Sequence, residues 1–233
     1  MMQKNLNHTN KSFLKQAYFE FKTKNLILGE ERAQLGQREI STMITLGLEV
    51  GFGAAPGFSF LDLGCADRFL EPSCKSEGWI YQGLDYDQVD FERDELPVPN
   101  SSIDIVLSLA VIEHLRDPDH FLKEAFRSLK PGGLIYLSTP NFQLDYKNFY
   151  NDPTHVKPYT PVSIEELLKF HGFSNVATFP GLRCKEIGWY RGRFRFLKAY
   201  YLLPFRGDTH LPVPQFLRGH ARSIFALARK PTL

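Results

Sequence analysis

Apolar positions along the chain change their period several times, and each change marks an element. After a polar stretch over 1–11, Phe13, Leu14, Ala17, Tyr18 and Phe21 recur at helical spacing and predict an amphipathic helix over 12–27. A second helix is predicted from Glu30 to Glu49, stopped by Gly51, Gly53, Pro56 and Gly57. Strand and helix patterns then alternate. Phe58–Leu63 reads as a strand, Phe69–Glu77 as a helix ended by Gly78, Ile80–Asp85 as a second strand and Val89–Glu92 as a short third. Ile103–Leu109 has the continuous apolar character of a buried strand. Asp117 and Pro118 form an N-cap and N1 pair opening a helix to Leu129, before a turn at Pro131-Gly132-Gly133 and a strand over Leu134–Ser138. Thr160-Pro161 opens a helix that ends near His171-Gly172, and Ser174–Phe179 and Ile224–Ala228 complete the strands. Such alternation predicts an α/β fold with a doubly wound, mostly parallel sheet of seven strands. The expected organisation is an N-terminal helical extension over 1–57 and one domain over 58–233, with an insertion at 183–222 before the last strand.

Composition narrows the class. Hydrophobic residues make up 43% and charged residues 23%, the balance of a soluble globular chain. No apolar run approaches the ~18 residues that cross a bilayer, and the N-terminal residues lack the apolar core of a secretory signal. Cys65, Cys74 and Cys184 are too scattered for a disulfide framework or a zinc site, so a reducing cytoplasm is the expected location. The net charge of +2 is unevenly spread: residues 183–233 hold eleven Lys and Arg against two acids, Glu186 and Asp208. A basic segment on an acidic body suits an anionic partner; the plainer reading is a solvated face whose aromatics cover the core.

The first strand runs into Leu61-Asp62-Leu63-Gly64-Cys65-Ala66-Asp67, a small-residue turn that lets a ligand approach the backbone. The second ends in Gly83-Leu84-Asp85, with the acid 21 residues beyond Gly64. An acid at that place can accept hydrogen bonds from ribose hydroxyls. The dinucleotide fingerprint G-x-G-x-x-G is absent, which weighs against a nicotinamide-linked dehydrogenase.

These blocks, with DELPVPNSSIDIVLSLAVIEHLRDP, FLKEAFRSLKPGGLIYLSTPN and a helix ending in HGF, resemble the class I S-adenosylmethionine-dependent methyltransferases (type 11-like), over roughly residues 58–180. The resemblance implies a Rossmann-like fold with S-adenosyl-L-methionine as cofactor. It implies that Gly64 and its neighbours Asp62, Cys65 and Ala66 line the methionine part. Asp85 with Tyr86 would hold the ribose, and Glu92 or, alternatively, Asp94 the adenine amino group. Leu109 and Ala110 would pack under the cofactor. Two positions depart from the family: its second and third motif glycines are Ala66 and Arg68 here. A methyl group at Ala66 is expected to crowd the cofactor. The short connection after Asp85 and the Asn151–Pro161 segment resemble bacterial members associated with surface-polysaccharide and sugar biosynthesis.

If the acceptor is a hydroxyl, a base assists by removing its proton. The candidates are His114, just after the Ile103–Leu109 strand, and His155, in a polar loop beside Asp152. Their alternative roles are helix capping or packing for His114 and loop ordering for His155. Asp62 is expected to order the glycine turn, and the cysteines to pack. No metal is expected, because the His residues are dispersed along the chain and no cluster has ligand spacing. The acceptor is expected to be a small molecule or glycan, phosphate-bearing in one version. Residues 183–222, where aromatics interleave with Arg191, Arg193, Arg195, Lys198, Arg206 and Arg218, suggest peripheral contact with an anionic membrane on its inner face. Two other readings are open. One is a degenerate fold acting as a scaffold, on the evidence of Ala66 and Arg68. The other is a nucleic-acid methyltransferase, supported by the basic segment but opposed by Leu109-Ala110-Val111-Ile112, where base-amino methylases carry a Pro-Pro block.

Overall fold

A computed structural model describes residues 30–181, 205–206, 218–220 and 222–232. The predicted helix over 12–27, Cys184 and most of the 183–222 insertion lie outside the described residues. The first described helix, α1 (Glu30–Glu49), has the predicted bounds. It presents Ile40, Met43 and Leu46, each fully buried, to one face of the sheet.

Strand β1 (Ser59–Leu63) is followed by α2 (Glu71–Ser76), β2 (Ile80–Leu84) and β3 (Ile103–Leu109). The helix α3 (Asp119–Ser128) leads into the long strand β4 (Leu129–Pro140). Next come α4 (Phe142–Phe149), α5 (Pro161–Phe170) and β5 (Ser174–Gly181). Two short strands, β6 (Phe205–Arg206) and β7 (Arg218–His220), pair with each other in parallel, and β8 (Ser223–Arg229) closes the chain. The main sheet has six strands in the order β2-β1-β3-β4-β8-β5. Its first four strands run parallel, and β8 is antiparallel to both β4 and β5.

The expected seventh strand does not form. Residues 89–92 join no strand and lie between and within two turns: Val89 N–H donates to the Asp85 carbonyl at 3.0 Å, and Arg93 N–H to that of Asp90 at 2.9 Å. Val89 and Phe91 are both buried, which produces a period-two pattern without a strand. The predicted turn at Pro131-Gly132-Gly133 survives inside β4 as an irregularity. Ile103 pairs with Leu129 but Ile105 with Leu134, and Gly132 takes a φ of +79°. The helix after Asp117 starts one residue later than expected, with Pro118 at the cap and Asp117 accepting from the Asp119 N–H at 3.1 Å. Thr160 and Ser163 form the reciprocal cap that starts α5.

Side chains alternate across the sheet. Leu61, Leu63 and Val106 meet Phe121, Leu122, Ile164 and Leu168 from α3 and α5 on one face. Phe60, Ile105, Leu107 and Tyr136 meet α1 on the other. Helix α1 thus shares one core with the sheet. With both faces covered, the carboxyl ends of β1 to β4 form the edge where ligands of such sheets bind.

Candidate active site

The chain passes from β1 to β2 on one side and then to β3 on the other. This reversal opens a crevice between the loops that leave β1 and β3. Gly64 stands at its lip with a φ of +88°. A Cβ there would collide with the side chain of Val111, on the loop after β3. The N–H groups of Gly64 and Cys65 both donate to the Leu84 carbonyl, at 2.8 and 3.2 Å, tying the turn to the end of β2.

Asp85 is 7% exposed. Its carboxylate accepts from the backbone N–H groups of Ala66 and Tyr86, each at 2.6 Å. Asp85 therefore orders the glycine turn by direct bonds, the task expected of Asp62. Asp62 is buried beneath, where it accepts from the Tyr81 hydroxyl at 2.8 Å. Burial pushes its carboxyl up to about 7, against the Tyr81 bond and with help from the charge of Asp85. Burial and the charges of Asp62 and Asp85 push the Cys65 thiol up to about 12, so it remains a neutral packing group.

Ala66 and Arg68 occupy the left-handed backbone region, at φ +45° and +58°. The loop therefore keeps a glycine-like path without the glycines. Arg68 leans outward, pairing with Glu71 at 2.8 Å and lying 5.1 Å from the Tyr81 ring. Asp67 is clamped from α1: Arg32 donates to both its oxygens at 2.9 Å.

The two acids considered for the adenine end are held in loop structure. Glu92 accepts from the N–H groups of Arg116 and Asp117, at 2.7 and 3.0 Å. Asp94 accepts from the Asp90 N–H at 2.9 Å. Tyr86 is half-buried beside Asp85. Leu109 ends β3 half-buried, and Ala110 follows at φ +56°.

His114 and His155, 41 positions apart in sequence, meet with ring centroids 4.8 Å apart. Glu113, 1% exposed, joins them: its Oε1 is 4.0 Å from His155 Nε2. Asp152 Oδ2 is 3.7 Å from the same nitrogen. The expectation of dispersed histidines thus fails in space. The cause is a turn at Asp152, which accepts from Thr154 N–H at 3.0 Å and its hydroxyl at 2.6 Å, and folds the loop back. Val156 and Lys157 N–H then donate to the Glu113 carbonyl, at 2.9 and 3.0 Å. The loop is not irregular throughout, since residues 142–149 form α4, capped by Asn141 and bent at Asp145.

Sequence reasoning missed three further residues at this edge. Glu113 accepts from Thr139 at 3.1 Å. The Tyr159 hydroxyl and Asn141 Nδ2 are buried with no hydrogen-bond partner among the described residues. Burial, then the charges of Glu113 and Asp117, hold the Tyr159 hydroxyl above its ordinary pKa. The one signal in sequence was the Glu-His pair itself.

The sequence pattern of a family described as "Methyltransferase domain" matches residues 4–178. This chain belongs to that methyltransferase domain family. A probable S-adenosylmethionine-dependent methyltransferase of Mycolicibacterium smegmatis is 32% identical over 135 residues, 50% of this chain and 52% of that protein. The ubiquinone biosynthesis O-methyltransferase of Parvibaculum lavamentivorans is 32% identical over 151 residues, 55% of this chain and 60% of that protein. The chain thus spans about half the length of the curated relatives it matches. Among solved folds, a SAM-dependent methyltransferase from Archaeoglobus fulgidus superposes with a TM-score of 0.57 at 20% identity, covering 92% of this chain and 99% of that one. Haemonchus contortus phosphoethanolamine N-methyltransferase 2, solved with S-adenosyl-L-methionine, gives 0.54 at 19% identity, covering 83% and 53%. S-adenosylmethionine is the cofactor of this methyltransferase family.

The residues present fit that cofactor. Gly64 lets the turn pass close under Val111 on the loop after β3, a path that a side chain would block, and Asp85 puts a carboxylate at the end of β2. An ionised carboxylate accepts up to about four hydrogen bonds, enough to hold both the loop and a ribose hydroxyl.

Proposed function

We propose that this methyltransferase-family chain transfers a methyl group from S-adenosylmethionine to a hydroxyl of a small, polar, ring-bearing acceptor such as a sugar. The observation that carries the reading is the adjacency along one sheet edge of the Gly64–Asp85 crevice and the Glu113–His114–His155 cluster. Neighbouring strands are ~4.8 Å apart, so the ends of β1 and β4 stand roughly 10 Å apart. That leaves room for a donor over β1 and β3 and an acceptor beside it.

When bound, S-adenosylmethionine supplies a methyl group already activated on a sulfonium. The chain's main task is then alignment, which can contribute ~7–11 kcal/mol. Gly64, Asp85 and Tyr86 hold the donor in this reading, and His155 with His114 activates the acceptor. His155 Nδ1 donates to the Phe149 carbonyl at 2.7 Å, which fixes the neutral tautomer with its lone pair on Nε2. As a base, His155 would take the acceptor's proton on Nε2, where Glu113 and Asp152 neutralise the imidazolium. Tyr146 on α4 and Tyr150 just after it are 56% and 62% exposed, suited to stacking against a ring. Against the scaffold alternative stands the backbone of Ala66 and Arg68, which keeps the path that glycines take. A phosphate-bearing acceptor and docking on an anionic membrane remain part of the proposal only through the basic, aromatic 183–222 segment. No described helix is long and apolar enough to cross a membrane.

The test is methyl transfer from labelled S-adenosylmethionine to a panel of monosaccharides, nucleotide sugars and phenols. We expect a methyl ether on at least one hydroxyl. His155→Ala should lower turnover by ~10²–10⁴-fold while leaving donor affinity unchanged. Equal turnover in His155→Ala and wild type would remove His155 from the acceptor site.

A further inference from the structure

The cluster at the ends of β3 and β4 holds more than a lone base needs. One ligand atom from each of Glu113, His114 and His155 lies within 4.8 Å of the others. Two of the three side chains are well shielded: Glu113 is 1% and His155 12% exposed. We propose that these residues form a binding site for one divalent first-row transition-metal ion, of the Zn²⁺ class, on the acceptor side of the methyl-transfer site. The proposal deepens the functional reading above and rests on it for the ion's role, but not for its binding.

Donor chemistry comes first. Two imidazoles and one carboxylate are a set that zinc accepts with a fourth position open, and imidazole selects against magnesium and calcium. Zinc bonds of ~2.0–2.2 Å require ligand atoms about 3.3 Å apart. The 4.0 Å between Glu113 Oε1 and His155 Nε2 closes to that by a side-chain adjustment.

Orientation comes second. Metal-binding imidazoles characteristically donate their other N–H to a carbonyl or carboxylate. His155 Nδ1 meets the Phe149 carbonyl at 2.7 Å, which can only accept, so Nε2 carries the lone pair beside Glu113. His114 Nδ1 meets the Thr154 carbonyl at 3.2 Å and the Thr154 hydroxyl at 2.9 Å. That hydroxyl gives its own proton to Asp152, so His114 is held as the Nδ1–H tautomer too. Thr139 holds the other oxygen of Glu113 at 3.1 Å. Each of the three ligands therefore has an outer partner that fixes it.

Charge comes third. Glu113 Oε1 at 4.0 Å and Asp152 Oδ2 at 3.7 Å both approach His155 Nε2, so two carboxylates face the point where the ligand atoms converge. Asp152, 3.7 Å from His155 Nε2, is placed to ligate directly or through water. The remaining position would take the acceptor's hydroxyl oxygen and lower its pKa, so that its proton passes to solvent water, and His155, with Nε2 held by the ion, would then serve as ligand and not as base.

The experiment uses the full chain stripped of metal, titrated with Zn²⁺ and separately with Co²⁺ as a spectroscopic probe. Expected are one ion per chain, a higher melting temperature with either metal alone, and binding weakened more than about tenfold in His114→Ala, His155→Ala and Glu113→Gln. His155→Cys gives a reading independent of affinity, since a thiolate–cobalt charge-transfer band appears only if position 155 is a ligand. A wild-type chain that takes up neither ion overturns the site, as does stoichiometric binding that all three variants leave unchanged. Donor binding measured in chelator separates the two readings. It persists if the metal inference alone fails, and ion binding persists in Asp85→Asn if the donor site alone is misplaced.

Discussion

Asp62 is a buried acid whose perturbation is testable. Its carboxyl is raised from an ordinary 3.8 to about 7, chiefly by burial. Between those values the folded chain binds more protons at Asp62 than the unfolded chain does. Stability therefore falls as pH rises through that window and levels off above it. Asp62→Asn keeps an acceptor for Tyr81 and removes the titration. Its stability should gain on wild type between pH 4 and 8 by at most roughly 4 kcal/mol, read as a widening difference in melting temperature. Parallel pH profiles would contradict the buried-acid account. At this scale the sequence is legible in part. Asp85 can be found because a glycine turn and an acid one strand later have a readable spacing. Glu113 cannot, because its neighbours Thr139, Tyr159 and His155 come from three other segments, and only the Asp152 turn brings His155 back.

Among the elements, the loop after β1 carries the sharpest prediction. Ala66 sits at φ +45°, where a Cβ costs about 1–2 kcal/mol and glycine nothing. Ala66→Gly should therefore raise stability by up to about 1 kcal/mol, part of the gain being lost to the more flexible unfolded chain. Donor affinity should hold or improve. A clear loss of stability, measured by denaturant titration, would mean that the methyl group packs rather than strains. Strong local signals give the elements their places. Ile103–Leu109 has its predicted bounds, and the Thr160-Pro161 cap starts α5 as expected. The misses have physical causes. Val89 and Phe91 point inward from turns rather than from a strand. Helix α4 is short and bent at Asp145, whose carboxylate is taken by Arg222 at 2.7 Å, so its periodicity is too brief to read.

Viewed whole, the molecule is a sheet covered on both faces, so its ligand chemistry concentrates at one edge. In the proposed reading the loops leaving β1 and β3, with Asp85 at the end of β2, form the donor crevice, and the β3 and β4 loops the cluster that activates a hydroxyl. The alternation of strand and helix makes this architecture legible in the sequence. The sheet's final antiparallel strand is less so, because β8 follows the 183–222 segment and its direction depends on pairing with both β4 and β5. Methyl transfer in the proposed reading requires that the crevice at Gly64 and Asp85 bind S-adenosylmethionine. Calorimetric titration of the full chain with S-adenosylmethionine tests it directly. Wild type should bind, and Asp85→Asn should bind roughly 10- to 150-fold more weakly, the ~1.5–3 kcal/mol of a charge-assisted hydrogen bond. No binding by the wild type, or equal affinity in the two proteins, would contradict the account.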